Sequence, residues 1–98
     1  MNSDFVYKII FVDEKSKWIH ICSNGDYEEP DAFFSLLKQI AKQSGGKIKD
    51  IGDFRYTISN LPYDIVFQWD DLFGIVIEYK NAYDKKNILY YINANIIN

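Results

Sequence analysis

FQWDDLFGIVIEY, Phe67 to Tyr79, sets an aromatic run against a nearly all-apolar run and separates them by two aspartates and a glycine. Ile65, Phe67 and Trp69 alternate with Val66, Gln68 and Asp70, the period-two pattern of a strand with two different faces. Gly74 opens Ile75 to Tyr79, whose almost unbroken apolar character suits a strand in the middle of a sheet with one face under a helix. So short a connection joins its strands antiparallel. Just upstream, Phe54, Tyr56 and Ile58 alternate with Arg55, Thr57 and Ser59, and Asn60 to Asp64 carries turn chemistry around Pro62. Three consecutive strands predict an antiparallel meander, preceded by a weaker strand over Lys47 to Ile51.

Further upstream the period changes. Phe33, Leu36, Leu37, Ile40 and Ala41 recur at the i, i+3, i+4, i+7, i+8 spacing of one helix face, with Lys38, Gln39, Lys42 and Gln43 on the wet side. Pro30 suits the first turn. Glu28, Glu29 and Asp31 complement the positive end of the helix dipole, and Gly45-Gly46 supplies a left-handed terminator, which sets the helix at about residues 30 to 44. Trp18, His20 and Cys22 alternate with Ile19 and Ile21, as a half-buried strand does, and Ser23 to Asp26 closes it. Phe5 to Val12 reads as the first strand, although Phe5, Ile9 and Val12 also share a helical face. In the tail, Ile88, Tyr91, Ile92 and Ile96 fall at helical spacing with Asp84 at an N-cap position; an edge strand over Ile88 to Ile92 is the competing reading. The expected fold is α+β: an antiparallel meander sheet, a central amphipathic helix packed on one face, and a C-terminal helix.

A chain of 98 residues fits one domain, residues 1–98. Its 11 basic and 14 acidic residues leave a formal charge of -3, which disfavours direct binding to nucleic acid and leaves room for a basic protein as partner. The one cysteine, Cys22, permits no internal disulfide, so a cytoplasmic location is expected. No signal peptide is read at the start, and no apolar run approaches the roughly 20 residues of a membrane helix, so no membrane association is expected.

No spacing matches a catalytic or cofactor motif, and the chain is expected to be no enzyme, with no catalytic residue, cofactor or metal site. His20 and Cys22 share a strand face, but a nucleophilic site also needs an orienting group and an oxyanion hole, and nothing in the sequence announces either. A small apolar cysteine on a half-buried strand accounts for the pair. With one histidine and one cysteine, a structural zinc site of four nitrogen or sulfur ligands cannot form within one chain. Asp70 and Asp71 diverge as neighbours on a strand must, which argues against an acid/base pair. Two readings remain for them: turn residues that cap the backbone, or an acidic contact for a basic partner. Glu28, Glu29 and Asp31, with Asp26, make a second acidic group that helix stabilisation explains and that a partner could also use. If both groups lie at one edge, they join into a single negative patch. Most of Trp18, Trp69, Phe73, Tyr63, Tyr90 and Tyr91 are expected in the core by default; Trp69 and Phe73 flank the aspartates as a binding anchor would, with core the leading reading for Trp69 and core and contact about even for Phe73 at the turn.

The run DIVFQWDDLFGIVIEY from Asp64 to Tyr79, with IGDFRYTISNLPYD before it and the helix DAFFSLLKQIAK from Asp31, resembles the small immunity proteins of bacterial contact-dependent growth inhibition systems. The resemblance implies a cytosolic protein that binds the toxic C-terminal domain of a cognate surface-delivered toxin and blocks it stoichiometrically, without chemistry of its own. Such toxins are often nucleases, and commonly basic. The cognate toxin domain is then the expected partner, held as one monomer in a 1:1 complex with the toxin's active site covered. Asp70, Asp71 and Phe73 are the expected contacts, with Glu28, Glu29 and Asp31 as a second group. The competing function is a regulatory or structural module that recognises an endogenous protein.

Overall fold

The computed structural model describes residues 5–24 and 30–97. Six strands, β1 (Tyr7–Asp13), β2 (Trp18–Ser23), β3 (Ile48–Gly52), β4 (Arg55–Ile58), β5 (Ile65–Asp70) and β6 (Gly74–Tyr79), form one sheet in the order β1-β2-β6-β5-β4-β3. Every pairing is antiparallel. Helix α1 (Asp31–Ser44) connects β2 to the far edge at β3, and α2 (Lys85–Asn95) follows a short 3-10 turn at Ala82–Asp84. The fold is α+β, with β3 to β6 as the meander and a C-terminal helix in place of the alternative edge strand.

One sheet face carries the core. Tyr7, Ile19, Ile21, Ile65, Phe67, Ile75, Ile77 and Tyr79 share a buried cluster with Phe33, Leu36, Leu37 and Ile40 of α1 and with Ile88, Ile92 and the following Ile96 of α2. Phe33 sets its ring 5.7 Å from Tyr56 and 6.2 Å from Trp69. The Tyr7 hydroxyl donates to the Ala32 carbonyl at 2.9 Å, tying the start of β1 to the start of α1. Pro30 stands just outside α1 and its carbonyl accepts from Phe34 N–H; Gly45 closes the helix at φ +69°. Asp84 occupies the N-cap position of α2 without a side-chain bond, because the 3-10 turn runs straight into the helix. Asn81 performs the side-chain cap one step earlier, accepting from Tyr83 N–H at 2.9 Å.

Three local departures matter for the site. A bulge at Ile10 lets Ile9 face Ile21 while Phe11 faces His20. Two residues of β1 thus occupy one pairing position, and Phe11 turns to the face opposite Ile9 and Val12. That reset explains the helical look of the segment, since Ile9 and Val12 pack against the core from the strand and Phe5 from just before it. Phe54, expected within a strand, lies instead in the two-residue turn Asp53-Phe54 between β3 and β4. Trp18 and Tyr90 are not core: Trp18 is half-buried on the face away from the helices, and Tyr90 is exposed.

Candidate binding surface

Both helices cover the same face of the sheet, so among the described residues no helix lies over the other. The strand registers place Trp18 opposite Glu78, His20 opposite Val76, Val66 opposite Glu78, and Gln68 opposite both Val76 and Arg55. Val66, Val76 and His20 are nonetheless buried, His20 to 3% exposure. Around His20 aromatic rings do the covering. Phe11 stacks on His20 with ring centroids 4.2 Å apart, Phe73 meets His20 edge-on at 5.3 Å, and Trp18 meets Phe73 at 6.2 Å. Phe11 and Phe73 themselves remain 50% and 51% exposed. The result is a second, smaller apolar cluster whose outer surface is aromatic and wet, the composition that interface cores favour.

Glu78 fastens one side of this cluster. One carboxylate oxygen accepts from Arg55 at 2.6 Å across the intervening strand β5, and the other accepts from Trp18 Nε1–H at 3.3 Å. Glu78 thereby spans from β2 to β4 and fixes the Trp18 ring. As a partly exposed ion pair it contributes little to stability, about 0 to 1 kcal/mol. On the other side, the Asp13 carboxyl is held below the usual carboxylate range. The backbone N–H and hydroxyl of Ser16 are the main cause, with smaller help from Lys15 N–H and His20.

The turn residues divide between the two roles. Asp70 Oδ1 accepts from Leu72 N–H at 2.8 Å and from Phe73 N–H at 3.0 Å, so this carboxylate builds the turn. Asp71 is exposed. The turn aims Phe73 back over β6 onto the aromatic cluster, away from the core-facing Trp69. Asp31 lies at the same end of the sheet: its neighbours Ala32 and Phe33 contact Tyr7 at the start of β1 and Trp69 at the end of β5. Glu28 and Glu29 lie outside the described residues. His20 and Cys22 share a face, but His20 is enclosed by aromatic rings and Cys22 is exposed beside Lys8. No cluster of three or more histidine, cysteine, aspartate or glutamate residues that could hold a metal occurs among the described residues. No described helix is long and apolar enough to cross a membrane.

Phe11, Trp18, Arg55 and Glu78 were not singled out as one surface by sequence. Strand alternation signals the shared face of Trp18 and His20, but the bulge hides that of Phe11, and the Arg55 to Glu78 contact joins residues 23 positions apart. The two ends of the sheet also differ in charge. The end with the β3–β4 and β5–β6 turns bears Asp53, Asp70 and Asp71, while the opposite end gathers Lys15, Lys17, Lys47, Lys80, Lys85 and Lys86, partly offset by Asp13, Glu14, Asp64 and Asp84. Comparison with known protein families, characterised proteins and solved structures finds no match.

Proposed function

We propose that this protein is an immunity protein of a bacterial contact-dependent growth inhibition system. It binds the C-terminal toxin domain, a basic nuclease, in a 1:1 cytoplasmic complex and covers the toxin's active site. The observation that carries this reading is the sheet face that no described helix covers, where exposed Phe11 and Phe73 sit against Trp18 and His20 beside the acidic Asp70-Asp71 turn. Exposed aromatics packed on a rigid strand platform lose little freedom on binding, which is what a hot spot needs. Carboxylates at the rim steer a basic partner and raise the association rate. Within that scheme Asp70 shapes the turn, Asp71 supplies rim charge, and Phe73 is the anchor. Asp31 extends the acidic rim, and Glu28 and Glu29 are proposed as contacts from the sequence alone.

The test is co-expression with the toxin domain encoded immediately upstream, scored by growth and by co-purification. Growth rescue by the wild type and a stable complex are expected. Phe73→Ala should weaken the complex by about 2 kcal/mol or more, with circular dichroism checking that the fold survives loss of the ring over His20. Absence of a neighbouring toxin gene, or a toxin that kills regardless of this protein, removes the reading and leaves the endogenous-partner module in its place.

A further inference from the structure

The β3–β4 turn presents an apolar side chain in a backbone conformation that disfavours it. Gly52, Asp53 and Phe54 have φ of +95°, +55° and +58°. Positive φ at both central residues of a two-residue hairpin loop is the signature of a type I′ turn, whose second central position is normally glycine. A bulky aromatic residue there is an outlier, since its Cβ crowds the backbone in the left-handed region. Packing does not explain it: Phe54 is 54% exposed and belongs to neither the core nor the ring contacts of the aromatic cluster. The Phe54 carbonyl accepts from Trp69 N–H at 3.0 Å, so this turn is held beside the end of β5 and the Asp70–Phe73 turn. At the tip of that second turn Leu72 is 87% exposed.

We infer that the two adjacent hairpin turns, with Phe54 and Leu72 as apolar anchors and Asp53 and Asp71 as charged flank, form a docking edge for a basic surface of the partner protein. This rests on the proposed function and names the part of the toxin domain that meets it: a cationic rim with apolar recesses, next to the site covered by the aromatic face. Charge decides the occupant. Asp50, Asp53, Asp70 and Asp71 lie in or against these turns, and the one cation in that stretch, Arg55, is already paired with Glu78. A second copy meeting it edge to edge would bring the same carboxylates together, which opposes symmetric self-association through this edge. Phe73 couples the edge to the aromatic face, because it leaves the same turn and packs on His20.

The test uses the full chain and the purified toxin domain encoded beside it. Phe54→Gly installs the Asp-Gly pair that type I′ turns favour, so the melting temperature should hold or rise while the dissociation constant increases by at least about tenfold. Asp53→Asn with Asp71→Asn should slow association and flatten its dependence on salt, leaving dissociation nearly unchanged. Unaltered affinity of Phe54→Gly, with the wild type bound tightly, overturns the docking edge and leaves the immunity reading standing. A lower melting temperature for Phe54→Gly assigns the residue to the fold and also overturns it. A wild-type chain that fails to bind the toxin domain removes both. A wild-type dimer in sedimentation that Phe54→Gly disperses makes the occupant a second copy, against the inference.

Discussion

Gly46 is where a single methyl group meets the backbone of another element. A Cβ added there would collide with the Ser59 carbonyl. The joint is clasped from both sides, with Lys47 N–H donating to Ser59 Oγ at 2.8 Å and Ser59 N–H donating to the Lys47 carbonyl at 3.1 Å. Gly46→Ala should therefore destabilise the fold by about 1 to 3 kcal/mol, the range for forcing extra volume into a closed site. Gly45→Ala should cost about 1 kcal/mol, from left-handed strain alone, since a Cβ there meets open space. Urea denaturation midpoints at unchanged slope would rank the two, and equal losses would contradict the close approach. Asp70 makes a related point. Its dense acidic setting invites a catalytic or binding role, yet two backbone N–H groups engage Oδ1, and the exposed charge of that turn is Asp71.

At the scale of elements, α1 shows why its amphipathic pattern was so legible. Buried Ala32, Phe33, Leu36, Leu37 and Ile40 fall on one stripe, and the helix turns that stripe inward. Phe33 is fully buried, whereas Phe34 is half-buried and touches Tyr56 edge-on at 5.7 Å. Phe33→Ala should remove about 3 to 5 kcal/mol and Phe34→Ala clearly less; calorimetric or chemical denaturation of the two variants checks the order, and its reversal would mean the stripe is misplaced. β1 shows the opposite case. Its apolar residues fit neither a clean period of two nor one of 3.6, because the Ile10 bulge shifts the phase midway. The β3–β4 hairpin is legible as two strands, but alternation starts the second at Phe54, a residue early, since Phe54 has strand composition and occupies a turn.

For the whole molecule, the pH response follows from where the tyrosines sit. Burial raises the Tyr79 phenol above its ordinary value, with Glu14 and Asp13 adding to the shift and Lys85 opposing it; burial alone raises Tyr91. Each group binds its proton more tightly folded than unfolded. The associated stability is fully present below the unfolded phenol's pKa of about 10 and is lost as pH rises through the folded values. Alkaline unfolding is thus expected, and Tyr79→Phe, which keeps the ring and removes the titrating oxygen, should move its midpoint to higher pH. A pH titration followed by circular dichroism reads this directly, and an unmoved midpoint would place the alkaline transition elsewhere. The charge distribution also belongs to this scale. A net charge of -3 is modest, but the sheet separates an acidic end from a lysine-rich one, so a basic partner meets a preferred orientation.

Periodicity and turn chemistry determined the class of fold: alternation in β5 and β6, the stripe of α1 and the glycines after it are local patterns, because hydrophobic burial repeats with the geometry of the element that performs it. The acidic turn and Phe73 were legible for the same local reason. The aromatic face was not. It depends on both helices choosing one side of the sheet, on a bulge that turns Phe11 toward His20, and on an Arg55 to Glu78 contact across a strand. Each of these joins residues distant in sequence, and only the tertiary structure brings Phe67 to Tyr79 beside β2 and β4, turning a hairpin into part of a surface.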